Sequence, residues 1–197
     1  MKFVFASNND HKIREIRSII GDSHTILSLR DLNITEDIPE EEPDLEGNAL
    51  SKARYIHRMT GMNVFADDTG LEVESLGGLP GVKSARFAGE NRDFSANIDK
   101  LLEMLESKSN RKARFRTIIA LIIDNSEYLF EGRVDGMIIT ERKGNEGFGY
   151  DPVFIPENHS RTFAEMDPDE KNSISHRGRA LEKLSSFLSE YSYNKNH

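Results

Sequence analysis

The sequence predicts an α/β fold built around a long mixed β-sheet with flanking helices. Short apolar runs alternate with helical patterns in the first third of the chain, which favours parallel strands joined by helices. In the middle, the β-type run Phe115–Ile123 is followed by a polar turn and a second extended run, Tyr128–Ile139, so we expect a hairpin. Without a linker or repeat to divide it, the chain (1-197) is predicted to be a single domain with two lobes.

The first half of the chain is predicted to alternate strand and helix. Residues 2–6 form an apolar run typical of a buried strand, and Asn9 or Asp10 can cap a helix whose isoleucines recur at helical spacing. The order then continues with a strand at Thr25–Leu29, an acidic loop with two prolines, a helix from about Asp44 to Met59 that Gly61 ends, and a short buried strand at Val64–Ala66.

The second half is predicted to be richer in paired strands. Gly77–Gly81 is a turn, and Asp93 caps a helix that runs through Leu105. After the hairpin come a glycine-rich aromatic loop, a short strand at Val153–Ile155, and a last helix that begins at Asp169 or Ser175 and ends near Tyr191.

Composition excludes several classes of protein. The chain has 197 residues, of which 37% are hydrophobic and 30% charged, as expected of a folded soluble protein. It contains no cysteine, which excludes a disulfide framework, a thiol nucleophile and a cysteine-ligated zinc site. No apolar run is long enough for a membrane span or a signal peptide, so we expect a cytoplasmic protein with no membrane partner.

Charge is distributed unevenly along the chain. The formal net charge is −8, and seven acids without a base lie between Glu36 and Glu46. The rest is close to neutral, with local basic clusters, so we expect no nucleic acid partner. A small anion held by a few local cations is compatible with this pattern.

The segment Ser7-Asn8-Asn9 joins the first strand to the first helix, and Lys12 follows in the first helical turn. A helix N-terminus offers free N–H groups and a partial positive charge, so this segment can cradle a phosphate without a glycine-rich loop. An ordinary cap beside a solvated lysine gives the same pattern.

The segment Asp67-Asp68-Thr69-Gly70 follows the buried strand at Val64–Ala66. A carboxylate at a strand end can bind Mg²⁺ or draw a proton from water, although a capped turn would look the same. If the backbone is extended, Asp67 and Asp68 point to opposite faces. Asp68-Thr69-Gly70 also matches the aspartic-protease tripeptide, but the chain holds no second copy of it.

Three further segments carry candidate site residues. One acid of the Glu36–Glu46 stretch can reach a metal near Lys52, although such residues are usually solvated. The loop Gly147–Pro152 exposes a ring that can stack on a base and a carboxylate that can accept from a ring N–H, or it is a rigid turn. Near the last helix, Lys171 and Ser175-His176-Arg177 bring donors to a helix start, where they can bind ring carbonyl oxygens or phosphates.

In combination and in order, these segments resemble the inosine triphosphate pyrophosphatase family, also called XTP/dITP diphosphatases. The resemblance covers nearly the whole chain, and it rests on six segments: Ser7-Asn8-Asn9-x-x-Lys12 with Glu15; Asn48-Ala49-x-x-Lys52-Ala53; Ala66-Asp67-Asp68-Thr69-Gly70-Leu71; Leu76–Gly81 with Ser84-Ala85-Arg86; Gly147–Pro152; and Glu170-Lys171-Asn172 with Ser175-His176-Arg177.

The resemblance implies an enzyme that hydrolyses the non-canonical purine nucleotides ITP, dITP and XTP to the monophosphate and pyrophosphate. It implies Mg²⁺ as cofactor, a homodimer, and two α/β lobes around a long mixed sheet with the substrate in a central cleft. Donors at the purine 6-carbonyl would reject adenine, which carries an amino group there. The runners-up are a Maf-like pyrophosphatase acting on dTTP or UTP and a non-catalytic nucleotide-binding regulator.

The resemblance also assigns roles to residues on the phosphate side. Asp68 would activate water as a general base or metal-bound carboxylate, with Lys12 and Lys52 as catalytic cations. The metal would be held by Asp68 and by Glu40, which is chosen by its distance before Lys52, with the nearby acids Glu41, Glu42 and Glu46 as alternatives. Many members carry two acids where this chain has Glu46-Gly47, which puts that pair in doubt as functional positions. The phosphates would contact Ser7, Asn8, Asn9, Lys12 and Thr69.

On the base side, Phe148 would stack on the purine, and Gly149 and Tyr150 would complete the substrate-binding loop. Asp151, His176 and Arg177 would recognise the edge of the base. Lys171 would contact the base or a phosphate.

Overall fold

The computed structural model describes residues 1–20, 24–36 and 38–195. The helices within these ranges are Asp10–Ile20 (α1), Leu45–Thr60 (α2), Phe94–Met104 (α3), Pro168–Ile174 (α4) and His176–Lys195 (α5). The strands are Lys2–Phe5 (β1), Thr25–Ser28 (β2), Val64–Val73 (β3), Pro80–Gly81 (β4), Lys112–Ile123 (β5), Ser126–Ile138 (β6) and Phe154–Pro156 (β7). The predicted α/β class is therefore confirmed.

The sheet is mixed, as the sequence predicts. Its order is β2-β1-β3-β5-β6-β7, with β4 beside β3. β1 runs parallel to both β2 and β3, whereas β4 pairs antiparallel with β3 and β7 antiparallel with β6. The turn between β5 and β6 places Asp124 and Asn125 at φ of 50° and 63°, the left-handed conformation typical of a tight hairpin.

Side-chain and glycine caps set the ends of two helices, and of these the sequence predicted Gly61 and Asp93. The Asp44 side chain accepts a hydrogen bond from the Gly47 N–H at the start of α2, and Gly61 ends that helix at φ 66°. The Asp93 side chain accepts from the Ala96 N–H in the same way at the start of α3. No helix in the described ranges is both long and apolar enough to cross a membrane.

The chain forms two compact units, each assembled from separate stretches. Unit 1 comprises Met1–Asp68, Thr117–Gly132 and Arg177–His197, and unit 2 comprises Thr69–Arg116 and Arg133–His176. Each unit has its own apolar core, since Phe3, Phe65 and Leu184 belong to the core of unit 1 and Leu71 and Phe154 to that of unit 2. The pattern explains why no single boundary is visible in the sequence.

The structure corrects the prediction of a short strand at Val64–Ala66. β3 runs unbroken from Val64 to Val73, so Asp67-Asp68-Thr69-Gly70 lies within a strand and not in a turn after it. Its second half pairs with β4, and Gly70 permits the close approach of that strand, since a Cβ on Gly70 would lie 2.8 Å from the Gly81 carbonyl oxygen.

The last helical region is two helices rather than one. Asp167 caps α4 by accepting from the Glu170 N–H, and Pro168 stands in its first turn. Ser175 is extended, with ψ at 159°, and α5 then begins at His176. The two starts that the sequence suggested as alternatives are therefore both used.

Candidate active site

The loop between β1 and α1 is shaped by its own short polar side chains. The Ser7 hydroxyl accepts from the Asn9 N–H at 3.1 Å, and the Asn9 side-chain oxygen accepts from the Lys12 N–H at 3.2 Å. The Asn8 amide donates to the Ile34 carbonyl oxygen at 3.2 Å. The bond to the Asn9 side chain caps the first turn of α1, the turn that carries Lys12.

Lys12 meets a buried carboxylate of β3. The Lys12 ammonium donates to Asp67 at 2.8 Å, and the Asp67 side chain is 1% exposed. The guanidinium of Arg177, at the start of α5, donates to the other Asp67 oxygen at 3.2 Å and also pairs with Glu15 of α1. Asp67 is thus held between two cations.

Asp68, the next residue of β3, has different partners. Lys52 of α2 donates to Asp68 at 3.0 Å and to Glu40 at 2.8 Å, so one ammonium draws two carboxylates together. The Asn48 amide donates to the second Asp68 oxygen at 3.2 Å, and its own oxygen accepts from the Glu42 N–H. Adjacent strand residues face opposite ways, which is why the two aspartates bind different lysines.

We call this group the charged cluster. All of its members belong to unit 1: Lys12, Glu15, Glu40, Asn48, Lys52, Asp67, Asp68 and Arg177. The structure brings together the predicted catalytic residues Lys12, Lys52 and Asp68 with the predicted metal ligand Glu40. Sequence reasoning did not assign a role to Asn48, whose only local signal was its position one helical turn before Lys52.

The pKa values of Asp68 and Asp67 are shifted in opposite directions. Burial raises the pKa of Asp68 above its ordinary value, and the nearby lysines reduce that shift without reversing it. Burial also opposes ionisation of Asp67, but Lys12, Arg177 and Lys52 outweigh it and hold the pKa of that carboxyl well below its usual range. Asp67 is therefore a permanent anion, whereas Asp68 is the better proton acceptor.

The carboxylates fit part of a magnesium site. In the described residues, no three His, Cys, Asp or Glu side chains lie close enough to hold a metal by themselves. Mg²⁺ commonly takes one or two carboxylates and completes its shell with water and substrate phosphates. Glu40 and Asp68, which share the Lys52 ammonium, supply such a pair.

In unit 2, several of the residues predicted to bind the base lie around one loop. The Asp151 carboxylate accepts from the Phe148 N–H at 2.8 Å and from the Lys171 ammonium at 2.8 Å. The Lys171 nitrogen lies 5.1 Å from the centre of the Phe148 ring, within the range of a cation–π contact. We call the segment Gly147–Asp151 the Phe148 loop.

His176 lies against aromatic rings of unit 2. Its ring stacks on Phe115, with centroids 4.5 Å apart and planes inclined by 14°, and it also contacts Phe163. With the Phe148 loop and Lys171, these residues form what we call the aromatic cluster: Phe115, Phe148, Asp151, Phe163, Lys171 and His176.

The other predicted residues have distinct surroundings. Arg177 is 2% exposed and its guanidinium contacts Glu15 and Asp67, so the structure places it in the charged cluster. Thr69, which follows Asp68 in β3, is half-buried, as is Gly149 in the Phe148 loop. Tyr150 is buried, and its hydroxyl donates to the Ser84 carbonyl oxygen at 2.9 Å.

Comparison with known proteins gives a consistent family. The model of the Ham1 family matches residues 3–187. A dITP/XTP pyrophosphatase of Flavobacterium johnsoniae is 50% identical over 95% of this chain and 98% of its own length. The dITP/XTP pyrophosphatase of Porphyromonas gingivalis is 53% identical over 95% of this chain and 97% of its own.

Solved structures agree with the sequence relatives. The Ham1 protein of Coxiella burnetii superposes with a TM-score of 0.89 at 40% identity, covering 96% of this chain and 99% of that one. The Staphylococcus aureus Ham1 protein gives 0.88 at 36% identity, covering 97% and 100%. The family model, the relatives and the solved structures all lead to the same conclusion. This chain belongs to the Ham1 family.

Proposed function

We propose that this chain hydrolyses dITP, ITP and XTP to the nucleoside monophosphate and pyrophosphate. The proposal is carried by the contacts at two adjacent residues of β3. Lys52 donates to both Glu40 and Asp68, and the Asn48 amide donates to the second Asp68 oxygen. Lys12 donates to Asp67, the strand residue before Asp68. Relatives named dITP/XTP pyrophosphatase at about half identity, over nearly the full length of both chains, support the same substrates.

The charged cluster is suited to a triphosphate. Lys12, Lys52 and the N–H groups at the start of α1 offset the negative charge of the phosphates. Attack at the α-phosphorus requires a water molecule that gives up a proton, and the Asp68 carboxylate would activate that water, either as general base or as a ligand of the metal that binds it. Lys52 and Asn48 fix the two oxygens of that carboxylate, so the proton acceptor is oriented before substrate binds.

We assign Mg²⁺ to Glu40 and Asp68. When bound there, the ion would offset charge on the phosphates and on the leaving pyrophosphate. The donor set supports this assignment because it consists of two carboxylates and leaves the remaining positions for phosphate oxygens and water.

The aromatic cluster is suited to a purine. The Phe148 ring can stack on the base, and Asp151, Lys171 and His176 supply polar groups for its edge. A carbonyl at the purine 6-position would accept from a donor such as Lys171 or His176. The amino group of adenine would leave that donor unsatisfied, which disfavours ATP.

Pyrophosphate release from a panel of nucleotides tests the proposal. The panel contains ITP, dITP, XTP, GTP, ATP, dTTP and UTP, each with Mg²⁺ and with EDTA. We expect fast release from the first three, little from GTP and ATP, and none with EDTA. Preference for dTTP or UTP would replace the proposal with a Maf-like activity, and binding of ITP without release from any nucleotide would replace it with a regulator.

The homodimer implied by the resemblance and the cytoplasmic location expected from the hydropathy pattern stay predictions. Sedimentation of the purified protein measures the first, and fractionation of cells measures the second.

A further inference from the structure

We infer that Tyr150 is a positioning residue, which anchors the Phe148 loop to Ser84 and acts on the nucleotide only through its neighbours. The inference rests on the proposed function and replaces the direct substrate contact predicted for this tyrosine. The Tyr150 ring is 5% exposed and belongs to the apolar core of unit 2. Its hydroxyl donates to the Ser84 carbonyl oxygen at 2.9 Å. Because the ring is buried and its hydroxyl already donates to a backbone carbonyl, Tyr150 is poorly placed to contact a ligand directly.

Ser84 is itself fixed by two further hydrogen bonds. Its hydroxyl donates to the Gly81 carbonyl oxygen at 2.6 Å and accepts from the Leu71 N–H at 2.8 Å. Leu71 lies in β3, two residues after Thr69, and Gly81 lies in β4. The acceptor of the Tyr150 hydroxyl therefore belongs to a rigid junction of two strands within unit 2.

The anchored loop carries the groups assigned to the base. Tyr150 stands between Phe148 and Asp151, which are joined by the bond from the Phe148 N–H to the Asp151 carboxylate. The space is tight as well, because a Cβ on Gly147 would lie 2.1 Å from that carboxylate. A shift of the Tyr150 backbone would therefore displace the ring that stacks on the base and the carboxylate that orients Lys171.

The Tyr150 hydroxyl contributes a hydrogen bond that the packing of its ring does not replace. A phenylalanine at this position would fill the same core space but would leave the buried Ser84 carbonyl without this donor. Burial raises the pKa of the Tyr150 phenol, so the hydroxyl stays protonated and remains a donor at neutral pH and well above it.

The test compares Tyr150→Phe with wild type in steady-state hydrolysis of ITP, GTP and ATP. Loss of one hydrogen bond corresponds to roughly a threefold to tenfold effect. We expect the KM for ITP to rise by about that factor, more than kcat falls, and the preference for ITP over GTP and ATP to narrow. Tyr191→Phe is the matched control, since it removes a hydroxyl that donates to Asp124 in unit 1, and it should leave KM and preference unchanged.

Ser84→Ala provides a second variant. It keeps the carbonyl that accepts from Tyr150 but removes the two bonds that hold that carbonyl in place, so we expect a smaller change of the same kind. If both variants keep the wild-type KM and preference, even with a lower Tm, the inference is overturned and Tyr150 only packs. A fall in kcat with unchanged KM would also overturn it.

Failure of the proposed function is measured separately. If the wild type releases no pyrophosphate from ITP, the proposed function fails. The Kd of ITP for wild type and Tyr150→Phe, measured by calorimetry, then tests the anchor by itself, with weaker binding to the variant expected and equal binding overturning the inference.

Discussion

The charged cluster of unit 1 and the aromatic cluster of unit 2 differ in how they are held together. In unit 1, Lys12, Lys52 and Arg177 alternate with four carboxylates, so almost every charge has an opposite charge within 3.2 Å. In unit 2 the buried ion pair Lys171–Asp151 lies among aromatic rings. The first arrangement suits a ligand with many charges, and the second suits a flat ring with a few polar atoms.

The difference separates two kinds of expected defect. Changes in the charged cluster should lower turnover of every nucleotide by a similar factor, because all of them carry the same triphosphate. Changes in the aromatic cluster should alter the ranking of nucleotides, because only the base differs among them. Each variant below is therefore judged on both turnover and ranking.

The largest effect is expected from Asp68→Asn. The amide retains the shape of the side chain but cannot accept the proton from water, so kcat should fall by about a hundredfold to ten-thousandfold. ITP should still bind, and the ranking of residual activities should be unchanged. Asp99→Asn is the control, since its carboxylate pairs with Arg142 on an exposed surface. A variant with kcat within tenfold of wild type would remove Asp68 from the proposed chemistry.

Asp67→Asn should affect stability most. It leaves the half-buried Lys12 and the buried Arg177 facing a neutral group, and breaking such a buried pair typically costs about 3–5 kcal/mol. Asp10→Asn, in an exposed pair with Arg30, should cost about 1 kcal/mol or less. Urea denaturation measures both variants at pH 7. Equal stability of the two would show that the buried pair carries no excess free energy.

The same comparison has a predicted pH dependence. Because the folded pKa of Asp67 is held below its unfolded value, its contribution to stability is complete above the ordinary pKa of an aspartate. It is lost as the pH falls from that value through the folded pKa. The stability difference between wild type and Asp67→Asn should therefore be constant near neutrality and shrink only in strong acid.

Local features of this site could be predicted from the sequence. The alternation of side chains along an extended strand predicts that Asp67 and Asp68 face different partners, and they do. Such inferences succeed because they depend on strand period, helix caps and residue type, all of which are encoded within short segments.

Features that depend on distant parts of the chain could not be predicted. Arg177 finds Asp67 across 110 positions, and the Tyr150 hydroxyl finds Ser84 across 66. No periodicity encodes these partners, because tertiary packing alone brings them together. The length of β3 was missed for the same reason, since the close approach of Gly81 to Gly70 is a contact between strands.

Gly147→Ala should give the opposite signature to the two aspartate variants. Its Cβ would meet the Asp151 carboxylate, and its φ of 74° disfavours any side chain. We expect a rise in KM for ITP of about tenfold, corresponding to roughly 1–2 kcal/mol, and a narrower preference among bases. Gly61→Ala is the matched control, with φ at 66° and no atom within 4 Å of the added Cβ.

Both glycine variants should lose stability, because both force a side chain into the left-handed region, and Gly147→Ala should lose more because its Cβ also meets Asp151. Only Gly147→Ala should change the ranking of ITP, GTP and ATP in the hydrolysis assay. If Gly61→Ala changes the ranking equally, the effect comes from general destabilisation and not from displacement of Asp151.

The smallest effect is expected from Asn48→Ala, and it sharpens the comparison because Asn48 carries no charge. Its amide fixes one Asp68 oxygen and the backbone at Glu42, so its loss leaves Asp68 chemically intact but less firmly oriented. We expect kcat to fall by about threefold to tenfold, the effect of one or two hydrogen bonds, equally for ITP and GTP. The control is Asn63→Ala, whose side chain accepts from the Asp124 N–H in the same unit.

Equal factors for all nucleotides are the decisive result for Asn48. If the amide only stabilises unit 1, Asn48→Ala and Asn63→Ala should lower Tm without a specific fall in kcat. If it orients Asp68, kcat should fall at temperatures well below Tm, and Asn63→Ala should not share the defect. A change in the ITP to GTP ratio would contradict the assignment of the charged cluster to the phosphates, because Asn48 would then affect recognition of the base.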